Sequence, residues 1–292
     1  MRLAVDAPCE IWLKLECLQP IGSFKLRGAT SAIRQADENE WRAGVWTTSA
    51  GNMAQGVCWV ARELDVAATV VAPDHAPRAK LDAIARLGGR SITVPFDIWW
   101  ETMETGSFPG VEGFFVHPVL DERVIAGNGV IGLELVEQLD DIETVLVPWG
   151  GGGLSVGIAS ALAAVSPVTR VIACEPATGA PFAASFAAGE TVGVDYTASF
   201  VDGAGSKALL PAMWERAREL LAGGVAVPLD AAADAVRVLA TRGRVVAEGA
   251  GALALAAALA GHGGSGRVVC VVSGGNIDAD LLARILAGDS PG

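Results

Sequence analysis

The feature that most constrains this chain is a regular alternation of short apolar runs and longer helical patterns. Apolar runs of strand length at residues 143–148 and 170–174, for example, flank a helical pattern at 154–165. Strands separated by helices form parallel sheets with helices on both faces. The sequence therefore predicts an α/β fold, in which ligands are expected at the carboxyl ends of the strands.

The same alternation extends along the whole chain. The predicted strands are residues 10–16, 45–48, 67–72, 91–94, 143–148, 170–174 and 268–272, with a further short apolar run at 113–116. The predicted helices are residues 24–35, 53–64, 78–87, 123–139, 154–165, 208–222, 230–242, 249–261 and 277–286. Residues 95–113 show the least regular pattern, and we expect one α/β unit to give way to the next there.

Composition limits the partners that this protein can bind. The formal net charge of −12 repels phosphate backbones, which argues against nucleic acid as the main partner. No apolar run reaches the roughly 18 residues that span a bilayer, and no signal-peptide pattern begins the chain. The Ala-rich stretch 249–261 is too short to span and reads as a buried helix. We therefore expect a cytoplasmic protein that binds no membrane.

Cysteine and histidine give no sign of a metal or disulfide framework. The five cysteines are odd in number and include no CxxC pair, so buried, reduced side chains are the simplest interpretation. The three histidines lack the spacing of a zinc site. The expected metal content is none.

Lys25, one of only four lysines, has an unusual setting. It lies between Phe24 and Leu26 in the first turn of a predicted helix. Apolar neighbours and the positive end of the helix dipole both disfavour the charged ammonium. A neutral amine is the form that makes a Schiff base with an aldehyde, so Lys25 is a candidate nucleophile. A surface lysine that keeps its charge in water is the alternative.

Ser49, Ala50, Gly51 and Asn52 form a second unusual turn, between a predicted strand and a predicted helix. Small residues at a helix start expose backbone N–H groups to an anion, and the Ser and Asn side chains add donors. An ordinary helix cap is the alternative, because Ser and Asn are common cap residues.

Four consecutive glycines, Gly150, Gly151, Gly152 and Gly153, separate a predicted strand from a predicted helix. Such a backbone can wrap round a phosphate with the helix dipole behind it. No GxGxxG or Gly-Lys-Ser pattern follows, so dinucleotide and Walker interpretations both fail, and a flexible linker is the alternative. The SGGN turn at 273–276 follows the last strand and by itself indicates only a turn.

Together the four turns supply an amine nucleophile, two candidate anion-binding sites and a neutral hydroxyl, all at predicted strand ends. This combination fits a cofactor that carries both a phosphate and an aldehyde.

The motifs and their order resemble the serine/threonine dehydratases, which are fold-type-II, tryptophan-synthase-like pyridoxal phosphate enzymes. The motifs are LKLE at 13–16, GSFKLRGA at 22–29, SAGN at 49–52, AGNGVIGLE at 126–134, GGGGL at 150–154, ACEP at 173–176, AEGAGA at 247–252 and SGGN at 273–276. The resemblance covers nearly the whole chain.

The resemblance implies two open, twisted, mostly parallel sheets flanked by helices, with pyridoxal 5′-phosphate in the cleft between two domains. The expected large domain is residues 1–38 with 117–292. The expected small domain is residues 39–116, which carry the SAGN turn. We also expect a homodimer on this ground.

The resemblance implies a role for each site residue. Lys25 would hold the cofactor as a Schiff base and Ser273 would face the pyridine nitrogen, and these two are the expected catalytic residues. The other expected cofactor-binding residues are Phe24, Asn52, Gly150, Gly151, Gly152, Gly153, Leu154 and Glu248. The expected substrate-binding residues are Ser49, Ala50, Gly51, Asn52 and Met53.

The implied reaction is a β-elimination from a small β-hydroxy amino acid such as L-threonine or L-serine. The substrate amine displaces Lys25, which then takes the Cα proton while the cofactor ring accepts electrons. A hydroxyl such as Ser273 leaves the pyridine nitrogen largely unprotonated, which favours loss of the β-hydroxyl over transamination. The products are a 2-oxo acid and ammonia.

Three residues in or next to these motifs depart from the family pattern. Ala50 stands where similar serine racemases carry a second serine that reprotonates the opposite face, so racemisation should be poor. Met53 replaces the usual histidine, which removes a donor and could admit a larger or more hydrophobic side chain. Ile21 replaces a Thr or Ser, with a harmless packing change as the alternative.

Other departures concern metal binding and the chain ends. Pro181 stands about where the resemblance would place an acidic cation ligand, and Glu175 alone is a poor site, so no required metal is expected. The chain begins later than its relatives of this type. Only one predicted helix follows SGGN, so we expect no C-terminal regulatory domain.

Four rival interpretations stay open. A β-replacement enzyme resembling cysteine synthase would have Thr after Asn52 rather than Met53, and a racemase is opposed by Ala50. A homologue that binds the cofactor without turnover is favoured if Met53, Ile21 and the late start have disabled the site. An unrelated α/β binding protein would lack the yellow colour of the cofactor.

Overall fold

The computed structural model describes residues 1–76 and 78–291, and its strands form two parallel sheets. Within these residues the strands are β1 Glu10–Leu15, β2 Val45–Thr47, β3 Ala68–Pro73, β4 Arg90–Val94, β5 Phe114–Phe115, β6 Ile142–Pro148, β7 Arg170–Pro176, β8 Gly223–Val227 and β9 Arg267–Val272. One sheet has the order β1-β9-β6-β7-β8 and the other β4-β3-β2-β5. The predicted α/β fold with two parallel sheets is confirmed.

Helices connect these strands. In the described part of the chain they are α1 Lys25–Gln35, α2 Glu38–Trp41, α3 Asn52–Glu63, α4 Arg78–Arg86, α5 Phe96–Thr105, α6 Glu122–Gln138, α7 Gly153–Val165, α8 Pro181–Ala188, α9 Pro211–Leu220, α10 Leu229–Val238, α11 Gly249–Leu259 and α12 Ala279–Leu286. A 3-10 turn at Glu16–Leu18 and a π-helical turn at Leu239–Gly243 complete the elements. None of the helices described has both the length and the apolar character needed to cross a membrane.

The chain divides into two compact units, residues 24–128 and residues 1–23 together with those from 129 onward. These units differ from the predicted domains in the segments 24–38 and 117–128. Segment 24–38 packs in the smaller unit because α1 lies against α3, where a Cβ added at Gly56 would be 3.1 Å from the Lys25 carbonyl oxygen. As a statement about domains that fold or move separately, the predicted division stays a prediction.

The core of the larger unit is built around α11, which contacts β6, β9 and α10. Every residue from Gly249 to Ala258 is buried, which only a helix that is apolar on all faces can tolerate. Ala and Gly carry little side-chain bulk, so α11 can lie close to the sheet. In the smaller unit, α1 and α3 share a core whose members include Ile33, Met53 and Val57.

The glycines inside α6 mark places where another helix approaches closely. A Cβ at Gly127 would lie 2.6 Å from the carbonyl oxygen of Arg27 in α1. Within the larger unit, a Cβ at Gly129 or Gly132 would lie 2.8 or 2.9 Å from a carbonyl oxygen of α7. These glycines lower helix propensity but allow the backbones to meet.

Within the described residues the structure contains three α-helices and one strand that the sequence analysis did not predict, namely α2, α5, α8 and β8. Residues 95–113, predicted to be irregular, contain the ten-residue helix α5. Phe96, Trp99, Trp100 and Met103 do recur three and four residues apart, but the proline and glycines that flank this stretch made it look irregular. β8 was also missed, because Gly223 and Gly224 begin it and weaken the strand pattern.

The close approach of α6 and α7 can be tested by Gly132→Ala. The added Cβ would lie 2.9 Å from the Ile158 carbonyl oxygen, so one helix must shift. We expect the free energy of unfolding in denaturant titration to fall by about 1–3 kcal/mol, despite the better helix propensity of Ala. Gly223→Ala is the control, because no heavy atom lies within 4 Å of its added Cβ. Equal stability of the two variants would contradict this packing account.

Candidate active site

Lys25 is the first residue of α1, and its side chain is half-buried. Its Nζ donates a hydrogen bond of 2.9 Å to the carbonyl oxygen of Pro118 and lies 5.3 Å from the centre of the Phe24 ring. Burial lowers the pKa of Lys25 from 10.5 to about 8. The amine therefore loses its proton far more readily than an ordinary lysine.

Other lysines have different partners. Lys14 forms a salt bridge with the Glu134 carboxylate and donates a second hydrogen bond to Gln138. Lys207 is exposed to water. Lys25 instead faces a backbone carbonyl, which is a neutral acceptor. This difference makes Lys25 the better nucleophile toward an aldehyde.

The SAGN turn joins β2 to α3. The Ser49 hydroxyl accepts a hydrogen bond of 3.2 Å from the Gly51 N–H, and α3 begins at Asn52. A Cβ added at Gly51 would have no heavy atom within 4 Å, so the space beside this backbone is open. Open space next to a helix start suits a carboxylate.

Met53, one position further, is fully buried in the core of the smaller unit. Its neighbours there include Ala29 and Val57. The predicted effect of Met53 on substrate choice stays a prediction.

Two of the predicted turns lie at one edge of the smaller sheet. β2 and β5 are neighbours, and the Thr47 hydroxyl donates a hydrogen bond of 2.8 Å to the Val116 carbonyl oxygen. Ser49 follows β2, and Pro118, which accepts from Lys25, follows β5. The structure therefore brings Lys25 and the SAGN turn to the carboxyl edge of the same sheet, as parallel strands require.

Sequence reasoning missed His117, which precedes Pro118 in the turn after β5. The imidazole Nδ1 accepts hydrogen bonds from the N–H groups of Val119 at 3.1 Å and Leu120 at 3.0 Å. Histidine was assessed only for the spacing of zinc ligands. Its place directly after a strand, at the edge where ligands bind, was the available signal.

In the larger unit, the glycine run joins β6 to α7. Gly152 is the N-cap of α7 and adopts the left-handed conformation, with φ of 92°. A Cβ there would lie 2.5 Å from Met213 and 2.6 Å from Trp149, so only glycine fits without a shift. Glycine has no side chain to cap the helix, and a helix start of this kind suits an anion.

Ser273 is buried at the carboxyl end of β9, the neighbour of β6 in the sheet. The next residue, Gly274, pairs with Ser23 and accepts a 3.0 Å hydrogen bond from the Glu248 N–H. The Gly150–Gly153 run and Ser273 therefore leave adjacent parallel strands at the same edge.

Glu248 and Leu154 are also placed in this region of the larger unit. Both are buried, and Leu154 lies in the first turn of α7. Glu248 is the N-cap of α11, and a Cβ added at Gly203 would lie 3.6 Å from its Oε1. Gly203 in turn approaches Gly150, where an added Cβ would lie 3.0 Å from the Gly203 carbonyl oxygen.

The SGGN asparagine has a structural task that the sequence analysis did not foresee. Asn276 donates a hydrogen bond of 2.8 Å to the carbonyl oxygen of Ile21. A Cβ at Gly22, which has φ of 72°, would lie 2.6 Å from the Asn276 Oδ1. Asn276 thus fixes the segment that leads to Ser23 in the larger unit, and Ile21 is buried there.

Glu175 caps a helix. Its buried carboxylate accepts hydrogen bonds from the N–H groups of Phe182 at 3.1 Å and Ala183 at 2.8 Å, at the start of α8. Burial raises the pKa of Glu175 to about 7, against the lowering effect of these hydrogen bonds. Among the residues described, no group of three or more His, Cys, Asp or Glu side chains is arranged to hold a metal ion.

Comparison with known proteins identifies the family. The sequence profile of the pyridoxal-phosphate dependent enzymes matches residues 1–274. The L-threonine ammonia-lyase of Thermotoga maritima is 39% identical over 285 residues, which are 95% of this chain and 70% of that protein. This chain therefore belongs to the family of pyridoxal-phosphate dependent enzymes.

Solved structures agree with this assignment. The processed form of threonine deaminase isoform 2 from Solanum lycopersicum has a TM-score of 0.85 and 32% identity, covering 97% of this chain and 84% of that one. Maize serine racemase has a TM-score of 0.84 and 31% identity, covering 98% and 92%. The predicted resemblance, fold class, enzyme class and cofactor are confirmed.

The residues present fit pyridoxal phosphate. Lys25 offers an amine with a lowered pKa for the aldehyde. The start of α7, with its left-handed Gly152, suits a phosphate, and the buried Ser273 offers a neutral hydroxyl. The structure thus contains the donor types that this cofactor needs.

Gly152→Ala tests whether this loop holds the phosphate. The left-handed φ and the short contacts to Met213 and Trp149 will distort the start of α7. We expect the affinity for pyridoxal phosphate, measured by absorbance titration, to fall at least about tenfold, which is 1.4 kcal/mol.

Gly189→Ala is the matched control for this experiment. Gly189 also has a left-handed φ, of 77°, but a Cβ there would have no heavy atom within 4 Å. The control should lose some stability and keep its cofactor affinity. A control that loses affinity as strongly as Gly152→Ala would contradict a specific role for the loop.

Proposed function

We propose that this enzyme removes the β-hydroxyl from a small β-hydroxy amino acid, such as L-threonine or L-serine, and releases a 2-oxo acid and ammonia. The observation that carries the proposal is the Lys25 amine, which is half-buried, has a pKa of about 8 and faces the Pro118 carbonyl oxygen. Such an amine can both bind the cofactor and act as a base near neutral pH.

Each proposed cofactor contact uses the chemistry of the residue concerned. When bound, pyridoxal phosphate supplies an aldehyde for amines and a ring that withdraws electrons from the substrate Cα. Lys25 binds the aldehyde, and Ser273 lies at the pyridine nitrogen. The other proposed contacts are Gly150, Gly151, Gly152, Gly153 and Leu154 to the phosphate, Asn52 to the 3′ oxygen, Phe24 beside the ring, and Glu248 nearby.

The proposed reaction depends on proton transfer by Lys25. The substrate amine displaces the lysine, and the freed ε-amine removes the Cα proton. Because its pKa is about 8, the amine is neutral often enough at neutral pH to accept that proton. The β-hydroxyl then leaves as water with the proton that Lys25 removed, and water hydrolyses the unsaturated amine that remains to the 2-oxo acid and ammonia.

Substrate binding is assigned to the turn between β2 and α3. Ser49, Gly51 and Asn52 offer donors to the substrate carboxylate at the start of the helix. Ala50 adds an apolar group to the proposed pocket, and Met53, which is buried in the core, is proposed to act on substrate choice through the packing of α3. An apolar wall beside the β carbon favours substrates with a small alkyl group, as in threonine, over more polar ones.

Ser273 favours elimination over other outcomes. A neutral hydroxyl at the pyridine nitrogen leaves the ring a weaker electron sink than a carboxylate partner would. With Ser273 as the partner of this nitrogen, loss of the β-hydroxyl would be favoured over return of the proton to another atom.

Racemisation is the second candidate, since maize serine racemase shares this fold at 31% identity. Ala50 opposes it, because an alanine offers no hydroxyl to protonate the opposite face of Cα. β-Replacement and cofactor binding without turnover are further outcomes that the same assay distinguishes. A homodimer is proposed on the family resemblance alone, and the cytoplasmic location expected from the sequence patterns stays a proposal.

The test is release of 2-oxo acid from L-threonine, L-serine, 3-hydroxyaspartate and bulkier β-hydroxy amino acids, with pyridoxal phosphate added. We expect release from threonine or serine that exceeds formation of the D-amino acid. Lys25→Ala should lower kcat at least about a hundredfold, because it removes the base. Lys207→Ala, which alters an exposed lysine, is the control and should keep full activity.

Three results would change the assignment. Activity only on a bulkier member would make Met53 a determinant of specificity. Faster production of D-serine than of pyruvate would favour the racemase. No product from any substrate with a yellow, folded protein would contradict the lyase and favour β-replacement or an inactive homologue.

A further inference from the structure

The turn after β5 holds the group that accepts a hydrogen bond from Lys25. The Nζ of Lys25 donates to the carbonyl oxygen of Pro118 at 2.9 Å. That carbonyl belongs to the same peptide group as the N–H of Val119, which donates to the Nδ1 of His117 at 3.1 Å. One planar peptide group therefore links the lysine on one side to the histidine on the other.

The imidazole fixes the orientation of this peptide group. In a planar trans peptide the C=O and N–H point in opposite directions and rotate together. Rotation of the peptide between Pro118 and Val119 would break the bonds to Lys25 and His117 at once. The second bond to Nδ1, from the Leu120 N–H at 3.0 Å, holds the ring in place. Donation by the N–H also polarises the carbonyl and makes it a better acceptor.

This geometry requires an unprotonated Nδ1 on His117, because the same nitrogen accepts two N–H groups. The neutral ring then carries its hydrogen on Nε2. The environment favours that form: burial lowers the pKa of His117, Lys25 lowers it further, and only the Asp121 carboxylate raises it.

Capping of the following helix does not explain His117. Asp121 already caps α6, since its carboxylate accepts a hydrogen bond of 2.8 Å from the Arg123 N–H. The Phe115 ring packs edge-on against the imidazole at 5.9 Å, which adds to the support of the ring. The histidine thus acts on the peptide that faces Lys25.

We propose that His117 is a positioning residue whose Nδ1 holds the Pro118 carbonyl in place for the Lys25 amine. The inference rests on the proposed function of Lys25 as cofactor lysine and base. Whenever the amine is free, before it binds the cofactor and after the substrate has displaced it, this carbonyl limits the rotamers that the lysine samples. Without His117 the Lys25 amine spends less time in the rotamer that the Pro118 carbonyl holds.

Two variants separate positioning from simple packing. His117→Asn places its Oδ1 the same number of bonds from the backbone as Nδ1, and asparagine accepts from nearby N–H groups in turns. His117→Leu fills similar space without an acceptor. We expect kcat for the amino acid substrate to fall about tenfold or more in the Leu variant with KM little changed, and to stay within about threefold in the Asn variant.

A second measurement does not depend on turnover. The rate at which the cofactor-free protein captures added pyridoxal phosphate reports on the free Lys25 amine, and the visible absorbance follows it. Capture should be about tenfold slower in His117→Leu and nearly unchanged in His117→Asn. Slow capture with no lyase activity in the unaltered enzyme would reject the proposed function and keep the positioning role.

Nitrogen NMR of the holoenzyme tests the geometry directly. The chain has three histidines. We expect one imidazole to keep an unprotonated Nδ1 from pH 6 to 8, which is within the usual range of histidine titration. Its signal should be absent from the spectrum of His117→Asn. The inference is overturned by a protonated Nδ1, or by a Leu variant that loses thermal stability while kcat and capture rate stay unchanged.

Discussion

The proposed chemistry of the smaller unit depends on the half-buried Lys25 amine, which faces a carbonyl oxygen instead of a carboxylate. A carboxylate beside it would stabilise the ammonium, as Glu134 does for Lys14 in the larger unit. The Lys25 amine instead donates a hydrogen bond to the Pro118 carbonyl oxygen. A neutral amine can keep this hydrogen bond after it has lost its proton. Burial then lowers the pKa of Lys25 to about 8, which is the property that carbonyl chemistry requires.

The two sheets present their functional residues by the same rule. In each unit the residues of interest follow the carboxyl ends of neighbouring parallel strands, where loops meet and helices begin. In the smaller unit these loops carry Ser49 and Pro118, and in the larger unit they carry Gly152 and Ser273. Glycine is needed where backbones meet, as in α6, and where a left-handed φ is crowded by side chains, as at Gly152.

Much of this could be predicted from the sequence, because strand and helix periods were clear and the four turns lay at strand ends. Two kinds of feature were missed in the sequence analysis. α5 was overlooked although Phe96, Trp99 and Trp100 carry a helical period, because Pro95 and the glycines from Gly106 onward made the stretch look irregular. Asn276 acts on the backbone of Ile21, which only the fold brings near. The hydrogen bonds of His117 are local, but their link to Lys25 arises only because the fold brings Pro118 to the lysine. The glycines of α6 likewise looked unfavourable for a helix until their neighbours were known.

The most direct test of the account is to locate the lysine that carries the cofactor. Borohydride reduction of the yellow holoenzyme makes the link between cofactor and lysine permanent, and peptide mass spectrometry then identifies the modified residue. The account predicts modification at Lys25, and loss of both colour and modification in Lys25→Ala. Modification at Lys14, Lys80 or Lys207 with Lys25 unmodified would contradict it.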